Sequence, residues 1–184
     1  MSDLQSFLGR LIAALEDAGG GYMLTGSMAS TLYGRPRSTQ DLDVVVHLTT
    51  ADLDTLLTRL DPDSYYVDKN AARDAIRHQS QFNVIDMATG WKADLIARKR
   101  RPFSQSEYHR RERAVVLGVA LWVATAEDVI VSKLEWSQKS GGSERQLQDV
   151  VGILEQRGPD LDRAYISRWC HDLGLLELWE RVAG

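Results

Sequence analysis

Apolar residues recur at helical spacing from the start of the chain: Leu4, Phe7, Leu8, Leu11, Ile12 and Leu15 share one face. That pattern predicts an amphipathic helix from Ser2 to Asp17. Ser2 and Gln5 have capping-box spacing. Gly19, Gly20 and Gly21 end the helix and hand over to a short apolar strand, Tyr22, Met23 and Leu24. Next come a Gly26-Ser27 turn, a brief helix from Met28 to Tyr33, a polar loop, and a strand opening Asp41-Leu42-Asp43 and continuing Val44-Val45-Val46. Thr50 is placed to cap a second amphipathic helix through Leu53, Leu56, Leu57 and Leu60, closed by Asp61-Pro62. Asn70 to Arg77 reads as a further short helix. A hairpin is predicted from Phe82 to Asp86 and from Trp91 to Ile96, turning through Met87 to Gly90.

The second half alternates differently. Gln105 to Arg113 suggests a basic helix, and Ala114 to Ala124 a buried hairpin turning near Gly118. Thr125-Ala126-Glu127-Asp128 has the form of a capping box opening a helix with Val129, Ile130, Lys133, Leu134 and Trp136 on its stripe. Gly141-Gly142 breaks that helix. Ser143 and Gln146 are spaced to cap the next, which packs Leu147, Val150, Val151 and Leu154 and stops at Gly158-Pro159. Tyr165, Ile166, Trp169, Leu173, Leu176 and Trp179 mark one or two closing helices.

The chemistry concentrates in the segment from Tyr22 to Leu48. Side chains two apart on a strand point to one face, so Asp41 and Asp43 lie together while Leu42 and Val44 pack on the other side. Carboxylates about 5 Å apart repel by about 3 kcal/mol at an effective dielectric near 20; a divalent cation between them reverses the sign of that interaction. Upstream, Gly26 allows close backbone approach, and the helix after it offers unpaired N–H groups that suit phosphate. Together the two features describe a metal-nucleotide site.

Composition narrows the setting without changing that picture. The chain has 184 residues, 43% hydrophobic and 26% charged, enough for one core, with one domain as the expectation. Its single cysteine, Cys170, forms no intrachain disulfide and points to a reducing compartment. The start carries Asp3 and an amphipathic pattern, and the apolar run from Ala114 to Ala124 is too short to span a bilayer. A cytoplasmic protein that does not enter membranes is expected. Net charge is −4, against general coating of nucleic acid, yet Arg98, Lys99, Arg100, Arg101, Arg110, Arg111 and Arg113 crowd one segment. That block fits either a triphosphate or RNA backbone or a solvated helix face. The four histidines lack zinc-ligand spacing. Neither a Gly-x-Ser-x-Gly elbow nor a P-loop occurs in the sequence, and Cys170 beside Trp169 reads as packing.

Gly26-Ser27 followed by Asp41-x-Asp43 resembles the nucleotidyltransferase superfamily that includes DNA polymerase beta and the antibiotic nucleotidyltransferases. The longer string from Gly34 to Asp43, GRPRSTQDLD, is similar to the branch containing abortive-infection (AbiEii-type) toxins. The resemblance implies an α+β (α/β) fold: a small mixed sheet flanked by helices over 1–124, with a helical C-terminal region over 125–184 packed on it. It also implies transfer of a nucleoside monophosphate from an NTP to an acceptor hydroxyl. Asp41 and Asp43 would hold Mg2+ (or Mn2+), and the amides of Gly26 and Ser27 would grip phosphate. A third carboxylate on a later strand would complete the metal site or act as base; Asp94 matches best and Asp86 competes, while a loop-capping aspartate is the structural alternative. Lys133 resembles a lysine of the toxin branch, and Asp149 its later aspartate. Lys133 and Arg37 would neutralise the leaving pyrophosphate.

The residues themselves leave other readings open. Lys133 can snorkel to solvent from its stripe, and Asp149 can pair with Arg145 at i, i+4. An Asp-x-Asp glycosyltransferase, or a non-catalytic member that binds nucleotide or protein, remains the functional alternative. An Asp-x-Asp phosphatase is disfavoured because Asp41 precedes the apolar run instead of ending it. The acceptor is open among RNA or tRNA, a protein and a small molecule; the toxin-like branch adds a cognate antitoxin as partner.

Overall fold

A computed structural model describes residues 2–39 and 41–184; Gln40 of the GRPRSTQDLD string lies outside them. The chain divides into two compact units, Met1–Leu24 with Gln40–Val123, and Thr25–Thr39 with Ala124–Gly184. The first holds the sheet. Its strands are β1 (Gly21–Thr25), β2 (Asp41–His47), β3 (Tyr65–Tyr66), β4 (Gln81–Asp86), β5 (Lys92–Ala97), β6 (Glu112–Val116) and β7 (Val119–Val123), in the spatial order β3-β4-β5-β2-β1-β7-β6. The β2/β5 and β1/β7 pairs are parallel, and β3/β4, β4/β5 and β6/β7 antiparallel. The fold is therefore mixed α+β, as the sequence pattern and the resemblance imply.

One face of this sheet is sealed. Leu42, Val44 and Val46 stand in register with Ala93, Leu95 and Ala97, and all are buried. Three helices pack against one another there: α1 (Asp3–Asp17), α3 (Thr50–Arg59) and α4 (Lys69–His78), with α4 on β4 and β5 and α1 on β7. They deliver Phe7, Leu8, Leu11, Leu15, Leu53 and Leu56, each fully buried and each contributing about 2 kcal/mol. Ser2 caps α1 by accepting from the Gln5 amide at 3.2 Å. The cap of α3 is Thr49, one residue before the expected Thr50, because Asp52 at the third helical position closes a reciprocal capping box with it.

The basic stretch splits. Pro102, fixed at the first helical position, starts α5 (Pro102–Arg110) early, and pairing of Glu112 and Arg113 with Val123 and Trp122 draws those residues into β6. The hairpin turns at Leu117 and Gly118, both with positive φ (51° and 78°), the conformation of a two-residue loop that matches strand twist. It is buried only in part: Leu121 and Val123 of β7 are fully buried, whereas β6 is an edge strand and Val115 is 65% exposed. Trp91 precedes β5 instead of opening it.

The second unit is helical: α2 (Gly26–Tyr33), α6 (Ala126–Lys139), α7 (Glu144–Arg157), a 3-10 turn (Gly158–Asp160), α8 (Arg163–Asp172) and α9 (Leu176–Ala183). Here α2 packs on α6 and α7, α6 on α7 and α8, and α9 on α7 and α8. Thr125 caps α6 by accepting from Asp128 N at 3.4 Å. The buried stripe of α6 runs through Ala126, Ile130, Lys133 and Ser137; Trp136, in the last turn at its margin, is exposed. Ser143 gives α7 no side-chain cap, and the buried residues of that helix are Val150, Gly152 and Ile153, with Val151 outside. Cys170 is buried, which pushes its thiol up to about 12 and makes it inert packing. Among the described residues no helix is long and apolar enough to cross a membrane.

Candidate functional site

Two groups of candidate side chains are assembled, one in each unit. In the sheet unit the parallel register of β2 and β5 sets Asp43 opposite Asp94 and Asp41 opposite Lys92, so all four belong to one face, the reverse of the sealed one. Lys92 Nζ lies 3.6 Å from Asp41 Oδ1 and 3.2 Å from Asp94 Oδ1. Asn83, in register with Asp94 on β4, donates its side-chain amide to that carboxylate. Burial pulls the Lys92 pKa down, but the hydrogen bond and charge of Asp94, then Asp41, outweigh it and leave it raised.

Asp86 is elsewhere. Its position in β4 has the parity of Phe82 and Val84, the opposite face. There it accepts the Ala88 and Thr89 amides at 3.0 and 3.1 Å and pairs with Arg10 at 2.5 Å. Burial raises its pKa, and the turn amides with Arg10 more than reverse that. The geometry makes Asp86 the cap of the β4/β5 turn and leaves Asp94 beside Asp43.

In the helical unit, α2 opens at Gly26, whose φ of 64° suits glycine, so the first turn begins two residues before the expected Met28. Gly34 ends α2 against α7: a Cβ there would lie 2.9 Å from Gly152 C and Ile153 N, and one on Gly152 3.2 Å from Arg35 N. This close approach presses the loop after α2 onto α7 and brings Arg37 to Asp149. Arg37 grips the carboxylate with two bonds, Nε to Oδ1 at 2.7 Å and a terminal nitrogen to Oδ2 at 2.9 Å. Lys133 Nζ reaches Oδ2 at 2.7 Å. Ser27 Oγ accepts from Arg37 at 2.5 Å and from Lys133 at 3.4 Å. Lys133 does not snorkel outward: its side chain is 5% exposed and that of Asp149 7%. Asp149 faces Arg37 and Lys133 instead of forming the helical pair with Arg145.

The cluster carries two cations and one anion around a hydroxyl at a helix N-terminus, a net positive site for phosphate oxygens. A groove of about 550 Å³ opens beside it, lined by Ser30, Arg35, Arg37, Arg145, Asp149 and Val151 among others. Burial raises the Asp149 pKa, but hydrogen bonds from Arg37 and Lys133, with their charges, prevail and lower it. Asp149 thus contributes stability present above its unfolded value of about 3.9 and lost as pH falls through the lower folded one. Thermal melts of the wild type and an Asp149→Asn variant should draw together as pH falls below about 4; curves that stay parallel would contradict the coupling.

Sequence reasoning missed two things. Lys92 was given no role, although it stands two residues before Asp94 on the same strand and so shares its face by parity. The pairing of Arg37 with Asp149 spans 112 residues and left no local signal.

The sequence matches no protein-family model and no curated protein. Solved structures do match. An antigenic nucleotidyltransferase-like protein from Paracoccidioides brasiliensis aligns over 98% of this chain and 92% of its own, at 15% identity and a TM-score of 0.58. ANT(2'')-Ia, in complex with adenylyl-2''-tobramycin, aligns over 94% and 98%, at 10% identity and a TM-score of 0.65. The fold is that of the nucleotidyltransferases. Lincomycin-bound LnuA, a lincosamide antibiotic adenylyltransferase, shares it over 83% of this chain and 96% of its own, at 11% identity and a TM-score of 0.55.

On this nucleotidyltransferase fold the donor set of β2 and β5 is purely carboxylate oxygen, the chemistry that a hard divalent cation takes. Yet among the described residues no three Asp, Glu, His or Cys side chains are gathered closely enough to hold a metal ion.

Proposed function

We propose that this protein transfers a nucleoside monophosphate from an NTP to an acceptor hydroxyl, releasing pyrophosphate. The observation that carries the reading is the register of Asp43 with Asp94 on adjacent parallel strands, with Asp41 on the same face. Asp41, Asp43 and Asp94 share that face without forming a ready-made cluster; drawn together they would hold magnesium or manganese, which would supply charge neutralisation on the triphosphate and a lowered pKa at the acceptor hydroxyl. Asp94 is assigned the acceptor proton. The amides of Gly26 and Ser27 bind phosphate oxygens, and Arg37 and Lys133 offset the charge developing on pyrophosphate. Asp149 holds both cations in position. The adenylyl-2''-tobramycin and lincomycin complexes on the same fold support a hydroxyl-bearing acceptor. The basic block of α5 and its flanks supports an RNA or tRNA end, and with it the toxin-like role and a cognate antitoxin.

A second reading, a member of the fold that binds nucleotide without transferring it, is favoured by the Lys92 ammonium standing against Asp41 and Asp94. One assay decides between them. The protein is incubated with each α-labelled NTP, magnesium or manganese, and cell extract. Label moved to an acceptor with pyrophosphate release supports transfer; no pyrophosphate from any NTP overturns it.

A further inference from the structure

The sheet-face acids already have a cation. Lys92 opens β5 in register with Asp41, so its side chain emerges on the face that carries the carboxylates. Its Nζ lies 3.2 and 3.4 Å from the two oxygens of Asp94 and 3.6 Å from Asp41. The same oxygens are the donors that a divalent ion would use. At 33% exposure the side chain has room to leave: a lysine stem is long and flexible, and its ammonium is well solvated in water. An ammonium and a divalent cation cannot share these oxygens, because like charges at such distances repel strongly.

We infer that Lys92 is a built-in counter-ion that screens the Asp41 and Asp94 carboxylates until metal enters, and so weakens binding of the bare ion and ties metal loading to nucleotide. The inference rests on the proposed transferase reading and concerns the regulation of that site. A metal arriving alone must displace Lys92. One arriving on a triphosphate brings anionic oxygens to which the displaced ammonium can turn. Lys92 is thus a positioning residue whose effect shows in metal affinity before any turnover.

The test measures Mn2+ binding to the full chain, by loss of the free-ion paramagnetic resonance signal, with and without a non-hydrolysable ATP analogue. Lys92→Met should tighten binding of Mn2+ alone by about tenfold or more, equivalent to about 1.4 kcal/mol, and narrow the gap between the two conditions. Lys92→Arg, which keeps the charge, should remain as weak as wild type. In metal-free buffer Lys92→Met should melt below wild type and recover on adding Mn2+. If the methionine variant fails to fold, Lys92→Gln carries the same expectation. Wild-type binding of Mn2+ with variant affinity unchanged within about twofold, or weaker, overturns the role of Lys92 and leaves the transferase reading standing. No Mn2+ binding by either protein under either condition overturns the metal reading and this inference together.

Discussion

Asp43→Asn, incubated with labelled NTP, magnesium and extract, is expected to transfer label at least about 10³-fold more slowly than wild type, a loss of about 4 kcal/mol of transition-state stabilisation. Asparagine keeps the shape and one oxygen but removes the charge opposite Asp94 on the neighbouring strand. The substitution also relieves carboxylate repulsion, so the melting temperature in metal-free buffer should be unchanged or higher. That combination separates a site residue from a structural one, because a buried polar group held for stability costs about 1–3 kcal/mol when its bonding is broken. Strong destabilisation with transfer intact would show that Asp43 serves the sheet and that the proposed chemistry is misplaced.

Asp149→Asn should behave in the opposite way. The carboxylate is nearly buried, binds Arg37 through both oxygens and also receives Lys133. Removing its charge leaves two cations, one almost wholly buried, without their shared anion. Breaking such a pair costs about 3–5 kcal/mol. For a chain of this size that corresponds to a fall of roughly 6–20 °C in melting temperature. Nucleotide affinity should drop as well, since Arg37 and Lys133 lose their fixed positions. A paired replacement, Asp149→Leu with Lys133→Met, should recover part of the stability but no nucleotide binding. Calorimetric melts and titration with an ATP analogue check both halves. A single variant that melts within about 2 °C of wild type and binds nucleotide normally would remove Asp149 from the site.

Much of this was legible along the chain because its determinants are local. The stripe from Leu4 to Leu15, the Thr125 cap and the alternation through Asp41-Leu42-Asp43 each depend on residues within a few positions of one another. Asp94 was reached through the resemblance, with Asp86 competing, and the parallel pairing of β2 with β5 is what sets it opposite Asp43. What escaped depends on contacts distant in sequence. Arg145 was the visible partner for Asp149, one helical turn away, whereas the actual partners come from a loop 112 residues earlier and from the preceding helix. Position in the fold, invisible in a pattern, decides exposure: a run as apolar as Ala114 to Ala124 reads as interior, yet Ala114, Val115 and Val116 lie on a border strand.

That border strand has a further consequence. The sheet must end somewhere, and each end leaves a row of backbone donors and acceptors able to recruit a foreign strand. One end is only two residues long, Tyr65 and Tyr66, too short a template to lengthen. The other is β6, where Glu112 and Arg113 place opposite charges along the rim and Val115 is left as an uncharged foothold. Resistance to self-association therefore depends on a few charged side chains at that rim, and crowding or high salt would test Val115 first.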